Sequence, residues 1–241
     1  MKKFGVIGFP VKHSFSPDYF AEKFATLEIN TFDYQAYEIE DLKKLKALVK
    51  KENLSGFNVT IPYKQSIIPM LKGISNAAKA IGAVNTVTVT IEGWFGDNTD
   101  FIGFRKSLSK LTGNKRQTAL IFGTGGSSKG VKYALQQLGI QHSSVSRGLM
   151  AEYTYADLTE EDIAEHSILI NTTPLGSTAM EEECVDIPYN AINSKHICYD
   201  LIYKPEESLF LKKASEQGAT IKNGLEMLKI QADEAWKVWN I

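Results

Sequence analysis

The chain has 241 residues, 27 basic and 28 acidic side chains, a formal net charge of −1 and 43% hydrophobic residues. At about 150 residues per domain that length allows one large domain or two compact ones, and the apolar content is enough for a core that needs neither metal nor disulfide. The near-zero charge, with Lys and Arg spread along the chain, excludes the basic footprint of a nucleic-acid binder, and two cysteines without metal-ligand spacing, Cys184 and Cys198, read as buried hydrophobes of a protein in a reducing cytoplasm.

Lys2-Lys3 and the apolar stretch to Val11 imitate a signal peptide, but Pro10, Lys12-His13 and the lack of a small-x-small cleavage site argue against one. Residues 3–8 read instead as a first strand, and 17–27 as a helix whose Phe20, Phe24 and Leu27 share a face. A second strand is predicted at 31–38. A helix over 41–52 buries Leu42, Leu45, Leu48 and Val49, so its lysines are a solvated face rather than a binding patch. Strand-like runs follow at 56–59, 83–90 and 93–97, the last after a tight turn at Glu92-Gly93. A helix over 99–111 leads to the polar break Thr112-Gly113-Asn114-Lys115-Arg116, a candidate domain junction. Beyond it the pattern predicts a buried strand at 118–122, a Gly-rich turn, a helix to Leu138, strands at 142–146, 168–171 and 197–200, a helix over 208–217, a strand at 220–222 and a last helix over 224–239. Short β-branched runs alternating with longer amphipathic stretches are the signature of parallel α/β sheets. No apolar run approaches the ~18 residues of a membrane span.

Strand 118–122 runs straight into Gly123-Thr124-Gly125-Gly126-Ser127-Ser128, and a helix follows. That is the context of a dinucleotide turn, in which glycines let the backbone approach a pyrophosphate seated on the free N–H groups of the helix start. Gly123, Thr124, Gly125, Gly126 and Ser127 are therefore candidate cofactor contacts, with Ser128 at the third fingerprint position where Gly or Ala is usual. The next strand ends at Val145-Ser146-Arg147 with no carboxylate to hold the two ribose hydroxyls of NAD. Ser146 and Arg147 point to the 2′-phosphate of NADP, the other reading of Arg147 being an exposed, uninvolved arginine.

Polar residues also gather just after strand ends in the first half: His13-Ser14-Phe15-Ser16-Pro17, Asn58-Val59-Thr60-Ile61-Pro62-Tyr63-Lys64, Asn85-Thr86 and Asp97-Asn98-Thr99-Asp100. Each has a local explanation, such as Ser16 as a helix cap before Pro17 or Asp100 at a helix start. Together they bring hydroxyls, amides, a lysine and carboxylates to the strand ends where ligands of open α/β sheets bind. Gln231 lies at the edge of the apolar stripe of the last helix, where its amide needs a partner in the protein or in a substrate. His13, His142, His166 and His196 have neither metal-ligand spacing nor a nucleophile triad, so no metal site is expected, and Trp236 and Trp239 read as helix-packing core.

In order along residues 5 to about 236, the pieces H-S-F-S-P, G-F-N-V-T-I-P-Y-K, G-A-V-N-T, G-D-N-T-D-F-I-G, the Gly-rich turn, N-T-T-P-L-G, Y-D-L-I-Y-K-P and N-G-L-E-M-L-K-I-Q-A resemble the shikimate dehydrogenase family. The resemblance implies two open-sheet α/β lobes: a substrate-binding lobe, 1–100, to which the last helix, 224–241, returns, and a Rossmann dinucleotide-binding lobe, 101–223. It implies NADPH-dependent, reversible reduction of 3-dehydroshikimate to shikimate in aromatic amino-acid biosynthesis, with Lys64 and Asp100 as the catalytic pair. Ser14 and Ser16 would bind the substrate carboxylate and Asn58, Thr60, Asn85 and Gln231 its hydroxyls, with Tyr203 also on the substrate. Thr172, Thr173, Ile202 and Gly224 join the cofactor contacts. The expected partners are small molecules, not nucleic acid or membrane, and monomer and homodimer both stay open. The cleft between the lobes is expected to close on binding. Ser146-Arg147-Gly148 departs from the family's usual Asn-Arg-Thr, which puts NADP selectivity in doubt. A quinate/shikimate dehydrogenase using NAD and a non-catalytic NADP-binding regulator are the alternatives, the second disfavoured by retention of both Lys64 and Asp100.

Overall fold

The computed structural model describes residues 1–12, 14–113, 117–148 and 151–239. His13, and Asn114-Lys115-Arg116 of the expected junction, lie outside the described residues. In chain order the elements are β1 (Lys2–Gly8), α1 (Phe15–Thr26), β2 (Phe32–Glu38), α2 (Leu45–Glu52), β3 (Leu54–Val59), β4 (Gly73–Ile74), α3 (Asn76–Ile81), β5 (Thr86–Thr90), β6 (Gly93–Asp97) and α4 (Asp100–Ser109). They continue with β7 (Thr118–Phe122), α5 (Gly126–Gln137), β8 (Gln141–Ser146), β9 (Tyr153–Thr154), α6 (Glu160–Glu165), β10 (Ile168–Asn171), β11 (Ile197–Asp200), α7 (Leu209–Glu216), β12 (Thr220–Lys222) and α8 (Leu225–Val238). Backbone contacts divide the chain into unit 1, Met1–Ile102 with Gln231–Ile241, and unit 2, Gly103–Ile230. The division read from sequence assigned all of 224–241 to the first lobe, whereas the first residues of α8 count with unit 2. Among the described residues no helix is long and apolar enough to cross a membrane.

Unit 1 is a six-stranded sheet in the order β2-β1-β3-β5-β6-β4. It is mixed rather than parallel, because the tight turn after β5 returns β6 antiparallel to it and β5 is itself antiparallel to β3. Alternation along β1 sends Phe4 and Val6 to one face and Ile7 to the other. The first face packs on Phe20 and Phe24 of α1 and on Ala232, Ala235, Trp236 and Trp239 from the end of the chain; the second packs on Leu45 and Val49 of α2. Trp236 and Trp239 are thus core, as their spacing suggested. The strand predicted at 83–90 begins only at Thr86. Asn85 still bonds both neighbours, its N to Asp97 O at 3.0 Å and its O to Val59 N at 2.8 Å, but Val84 N turns away to Lys64 O at 2.7 Å in the loop after β3.

Unit 2 is a parallel six-stranded sheet in the order β12-β11-β10-β7-β8-β9. The central strands carry fully buried runs, Ala119 to Phe122 and Ile168 to Ile170, as both faces are covered. The reversal of strand order lies beside β7, where the Gly-rich turn leaves the sheet. Within unit 2 the second half of α4 is fastened to β11: Phe104 meets Tyr199 edge-on at 4.9 Å, and the Ser107 and Tyr199 hydroxyls lie 2.6 Å apart.

One glycine of unit 1 shows how tightly the chain end is seated. A Cβ on Gly56 would come within 2.6 Å of Trp239 Nε1 and 2.9 Å of Val87 O, the two atoms joined by the 3.0 Å bond that docks the indole. Gly56→Ala is expected to cost roughly 1–3 kcal/mol through overpacking. Urea unfolding followed by tryptophan fluorescence reads this directly, and a midpoint equal to the native one would contradict it.

Candidate active site

Three strand ends and two helix starts of unit 1 bring its polar residues together. After β1, Ser14 caps α1 in extended conformation (φ −64°, ψ 140°) with no side-chain bond to the helix, and Ser16 lies buried in the first turn. After β3, Tyr63 donates its hydroxyl to Ile39 O at 2.6 Å, and Lys64 O accepts from Val84 N, so the backbone under Lys64 is held at both sides. Lys64 Nζ lies 2.7 Å from Asp100 Oδ2, with both side chains largely but not fully buried at 16% and 11% exposure. Asp100 opens α4, where the unpaired N–H end of the helix favours a carboxylate.

Asp100 is oriented from behind by Asn85. Thr99 N, which can only donate, lies 2.7 Å from Asn85 Oδ1. This fixes the amide so that Nδ2 faces Asp100 Oδ1 at 2.8 Å and Thr99 Oγ1 at 3.0 Å, with Gln231 Oε1 at 3.3 Å. Thr86 Oγ1 donates to Asn85 Oδ1 at 3.0 Å and accepts from Asn58 Nδ2 at 3.1 Å. Asn58 Nδ2 also reaches Asn85 O at 3.0 Å, and Asn58 Oδ1 accepts from the Tyr34 hydroxyl at 2.7 Å. Burial pushes the ionisation of that phenol far up, so Tyr34 stays a neutral donor, with the Ser16 hydroxyl beside it.

Five of the residues expected from sequence thus belong to one connected network, Lys64, Asp100, Asn85, Gln231 and Asn58, with Ser16 buried beside its Tyr34 end. Asn58 and Asn85, read as contacts to substrate hydroxyls, have their amides filled by protein partners and are 5% and 3% exposed. Ser14 and Thr60 flank the network on half-buried loops, and their hydroxyls have no partner among the described residues. Tyr203 belongs to unit 2, half-buried on the loop after β11. The sequence reading missed Tyr34, Thr86 and Thr99. Tyr34 shows only as an alternating β2 residue, while Thr86 and Thr99 sit inside motifs that drew attention to their neighbours.

In unit 2 the two glycines of the turn have different reasons. Gly123 has φ +107° and a Cβ there would meet Thr172 Oγ1 at 2.7 Å, so the fold itself requires glycine. Gly125 has an ordinary φ of −73° and a Cβ would meet nothing within 4 Å, so nothing inside the chain demands it. It caps α5 without a side-chain bond, beside the helix-start amides of Gly126 and Ser127, leaving a surface open to a pyrophosphate. Thr124 sits between these glycines, and Ser128 turns its hydroxyl back to Gly125 O at 2.7 Å. Arg147 is exposed beyond β8, near enough to oppose the rise of the Tyr155 phenol, which burial pushes up to about 12. Ser146 Oγ donates to Gly148 O at 2.8 Å, closing the turn that presents Arg147.

The loops after β10 and β11 leave the same edge of the sheet as the glycine turn. Thr172 donates through Oγ1 to Phe122 O at 2.7 Å, and Thr173 donates through N and Oγ1 to Asn171 Oδ1. Ile202 O accepts from Gly224 N at 2.9 Å, and a Cβ on Gly224 would stand 2.1 Å from Leu201 O, so only glycine fits there. The histidines described, His142, His166 and His196, each have a ring nitrogen near a backbone carbonyl. Cys198 is fully buried, and burial pushes its thiol up to about 12. Among the described residues no group of three or more His, Cys, Asp or Glu is placed to hold a metal ion.

Fold and site together define a two-unit α/β protein that joins a Rossmann unit to a unit carrying a lysine–carboxylate pair among neutral polar groups. A family profile described as "Shikimate dehydrogenase substrate binding domain" matches residues 6–87. The NADP(+)-type shikimate dehydrogenase of Aquifex aeolicus (strain VF5) is 39% identical across 98% of this chain and 90% of its own length. The crystal structure of the Aquifex aeolicus enzyme superposes with a TM-score of 0.90, covering 100% of this chain and 92% of that one. The Thermus thermophilus shikimate 5-dehydrogenase in complex with NADP(H) and shikimate gives 0.88 at 29% identity, covering 99% and 93%. The Corynebacterium glutamicum quinate dehydrogenase in complex with NAD gives 0.86 at 26% identity, covering 99% and 93%. The chain belongs to the shikimate dehydrogenase family.

Asp200, at the end of β11, is fully buried, and burial pushes its carboxyl up to about 6 against hydrogen bonds from Ser208, Ile202 and Asn171. The folded chain therefore holds this proton up to about pH 6, whereas the unfolded chain releases it near the ordinary 3.8. Stability falls as pH rises between those values and is flat above them. Relative to the native chain, Asp200→Asn is expected to gain stability from about pH 4 to about pH 6 and then level off. Urea unfolding of both proteins across that range checks it; a difference independent of pH would contradict it.

Proposed function

We propose that this chain catalyses the reversible NADPH-dependent reduction of 3-dehydroshikimate to shikimate, a step of the shikimate pathway to aromatic amino acids. The observation that carries the mechanism is the Lys64–Asp100 pair at 2.7 Å, held from behind by Asn85 and surrounded by neutral hydroxyls and amides. Such a setting suits an uncharged polyol ring bearing one carboxylate, and it gives the reacting oxygen a single cation.

Gly123, Thr124, Gly125, Gly126 and Ser127 would hold the pyrophosphate, Ser146 and Arg147 the 2′-phosphate end, and Thr172, Thr173, Ile202 and Gly224 the far end of the dinucleotide. Bound NADPH supplies the hydride. When the ketone carbon is reduced its oxygen becomes an alkoxide, and the Lys64 ammonium gives that oxygen a proton while its charge stabilises the developing anion. Asp100 keeps the lysine aimed and balances its charge, and it passes protons between lysine and water. In the oxidation direction the same pair takes the proton from the hydroxyl. Ser14 and Ser16 would receive the carboxylate, Thr60, Gln231 and Tyr203 the hydroxylated ring. Asn58 and Asn85 act in this reading as supports, since their amides are already bonded within the protein.

The test is the absorbance of reduced nicotinamide with shikimate or quinate, each with NADP or NAD. Turnover with shikimate and NADP is expected, and its absence in folded protein would overturn the reading. Lys64→Ala is expected to lower that turnover roughly 10²–10⁴-fold while the protein stays folded. An unchanged rate would show that Lys64 takes no part in proton transfer. Turnover with quinate and NAD in preference would assign the chain to the quinate-type reaction instead.

A further inference from the structure

The loops that would meet the far end of the dinucleotide share one polar joint. Asn171 and Asp200 end neighbouring strands as register partners, and Asn171 Nδ2 donates to Asp200 Oδ1 at 3.1 Å. From there Asn171 secures the first loop: its Oδ1 accepts from Thr173 N at 3.0 Å and Thr173 Oγ1 at 2.7 Å, and its Nδ2 reaches Leu175 O at 3.1 Å. Asp200 secures the second: Oδ1 accepts from Ile202 N at 2.9 Å and Oδ2 from Ser208 Oγ at 2.5 Å. Every polar atom of both side chains is used, and both residues are fully buried.

A buried carboxylate with no ion-pair partner among the described residues is costly, so its position needs a reason. The reason lies in Ser208, the N-cap of α7, whose Oγ also accepts from Leu211 N at 3.4 Å. With a carboxylate at 200, Ser208 donates to one side and accepts from the other. An amide at 200 must keep its oxygen toward Asn171 and Ile202, which turns its N–H toward Ser208 and leaves the serine proton without an acceptor. The carboxylate ties loop and helix cap together in one hydrogen-bonded arrangement.

We infer that Asp200 is a positioning residue for cofactor binding, setting the Thr172-Thr173 loop through Asn171 and the Ile202-Tyr203 loop directly. It touches no reacting atom; it fixes where two cofactor-facing backbone segments stand. This rests on the NADP reading above.

Full-length native protein, Asp200→Ala, Asp200→Asn and Ser208→Ala are titrated separately with NADPH and with shikimate. Asp200→Ala is expected to raise the NADPH Kd roughly tenfold or more, in line with loss of bonds to a charged acceptor, while shikimate affinity, reached only through Tyr203 beside Ile202, falls by no more than about threefold. Ser208→Ala, which removes one of the three bonds to Asp200 together with the cap bond from Leu211 N and guards against failure of the Asp200→Ala variant to fold, is expected to weaken NADPH by a smaller factor with the same selectivity. Asp200→Asn is expected to recover most of the NADPH affinity because it keeps the bonds to Asn171 and Ile202. Native-like NADPH binding in both Asp200→Ala and Ser208→Ala would overturn the inference, as would a parallel loss of both ligands in the folded variants. Failure of the native protein itself to bind NADPH would overturn the cofactor reading, and the inference with it.

Discussion

A backbone N–H has one proton and no choice of role, and the one on Thr99 points at Asn85 Oδ1 from 2.7 Å. In a buried network this decides the remaining bonds in turn, because a reversed amide would set two donors face to face with no water to absorb the cost. Asn85 Nδ2 must face Asp100, the other oxygen of Asp100 meets Lys64, and Thr86 carries the pattern to Asn58 and Tyr34. A lysine–carboxylate pair at a surface is worth little and wanders. Here the carboxylate is anchored at a helix start and from behind by an amide, which leaves the ammonium as the movable member of the pair.

Unit 2 uses the same device for a different end. Side chains at the last residues of parallel strands bond the backbone just beyond, and the loops at the ligand edge inherit the rigidity of the sheet. Asn171 and Asp200 do this for two loops, while Thr172 ties one of them to β7. Gly123 and Gly125 differ within one turn: the first is dictated by φ and by Thr172, the second by nothing in the chain. A position that tolerates a side chain yet carries none, at an uncapped helix start, is what close approach of a phosphate requires.

Much of this was legible beforehand. The strands β1, β7, β10 and β11 stood out because buried parallel strands are short apolar runs, β2 by its alternation, and α2, α5 and α8 because their apolar residues repeat at helical spacing. What escaped was short. Helix α6 is six mostly acidic residues whose only signature is the capping box from Thr159 to Asp162, and β4 and β9 are two residues each. The motifs singled out residues that the fold brings into one network, but not which of them bond to one another. Asn58 and Asn85 look identical in sequence to substrate ligands, and only the placement of Thr99 N, Thr86 and Tyr34 shows their amides already filled. Asp200 was passed over inside its motif because nothing local reveals that it will be buried without a cation.

The central claim is that Asn85 serves Asp100 and not the substrate, and steady-state kinetics of Asn85→Ser with shikimate and NADP test it most directly. The shorter side chain cannot span from Thr99 N to Asp100, so kcat is expected to fall roughly tenfold or more while the KM for shikimate stays within about threefold of native. A raised KM with kcat preserved would contradict the account and make Asn85 a contact to the substrate.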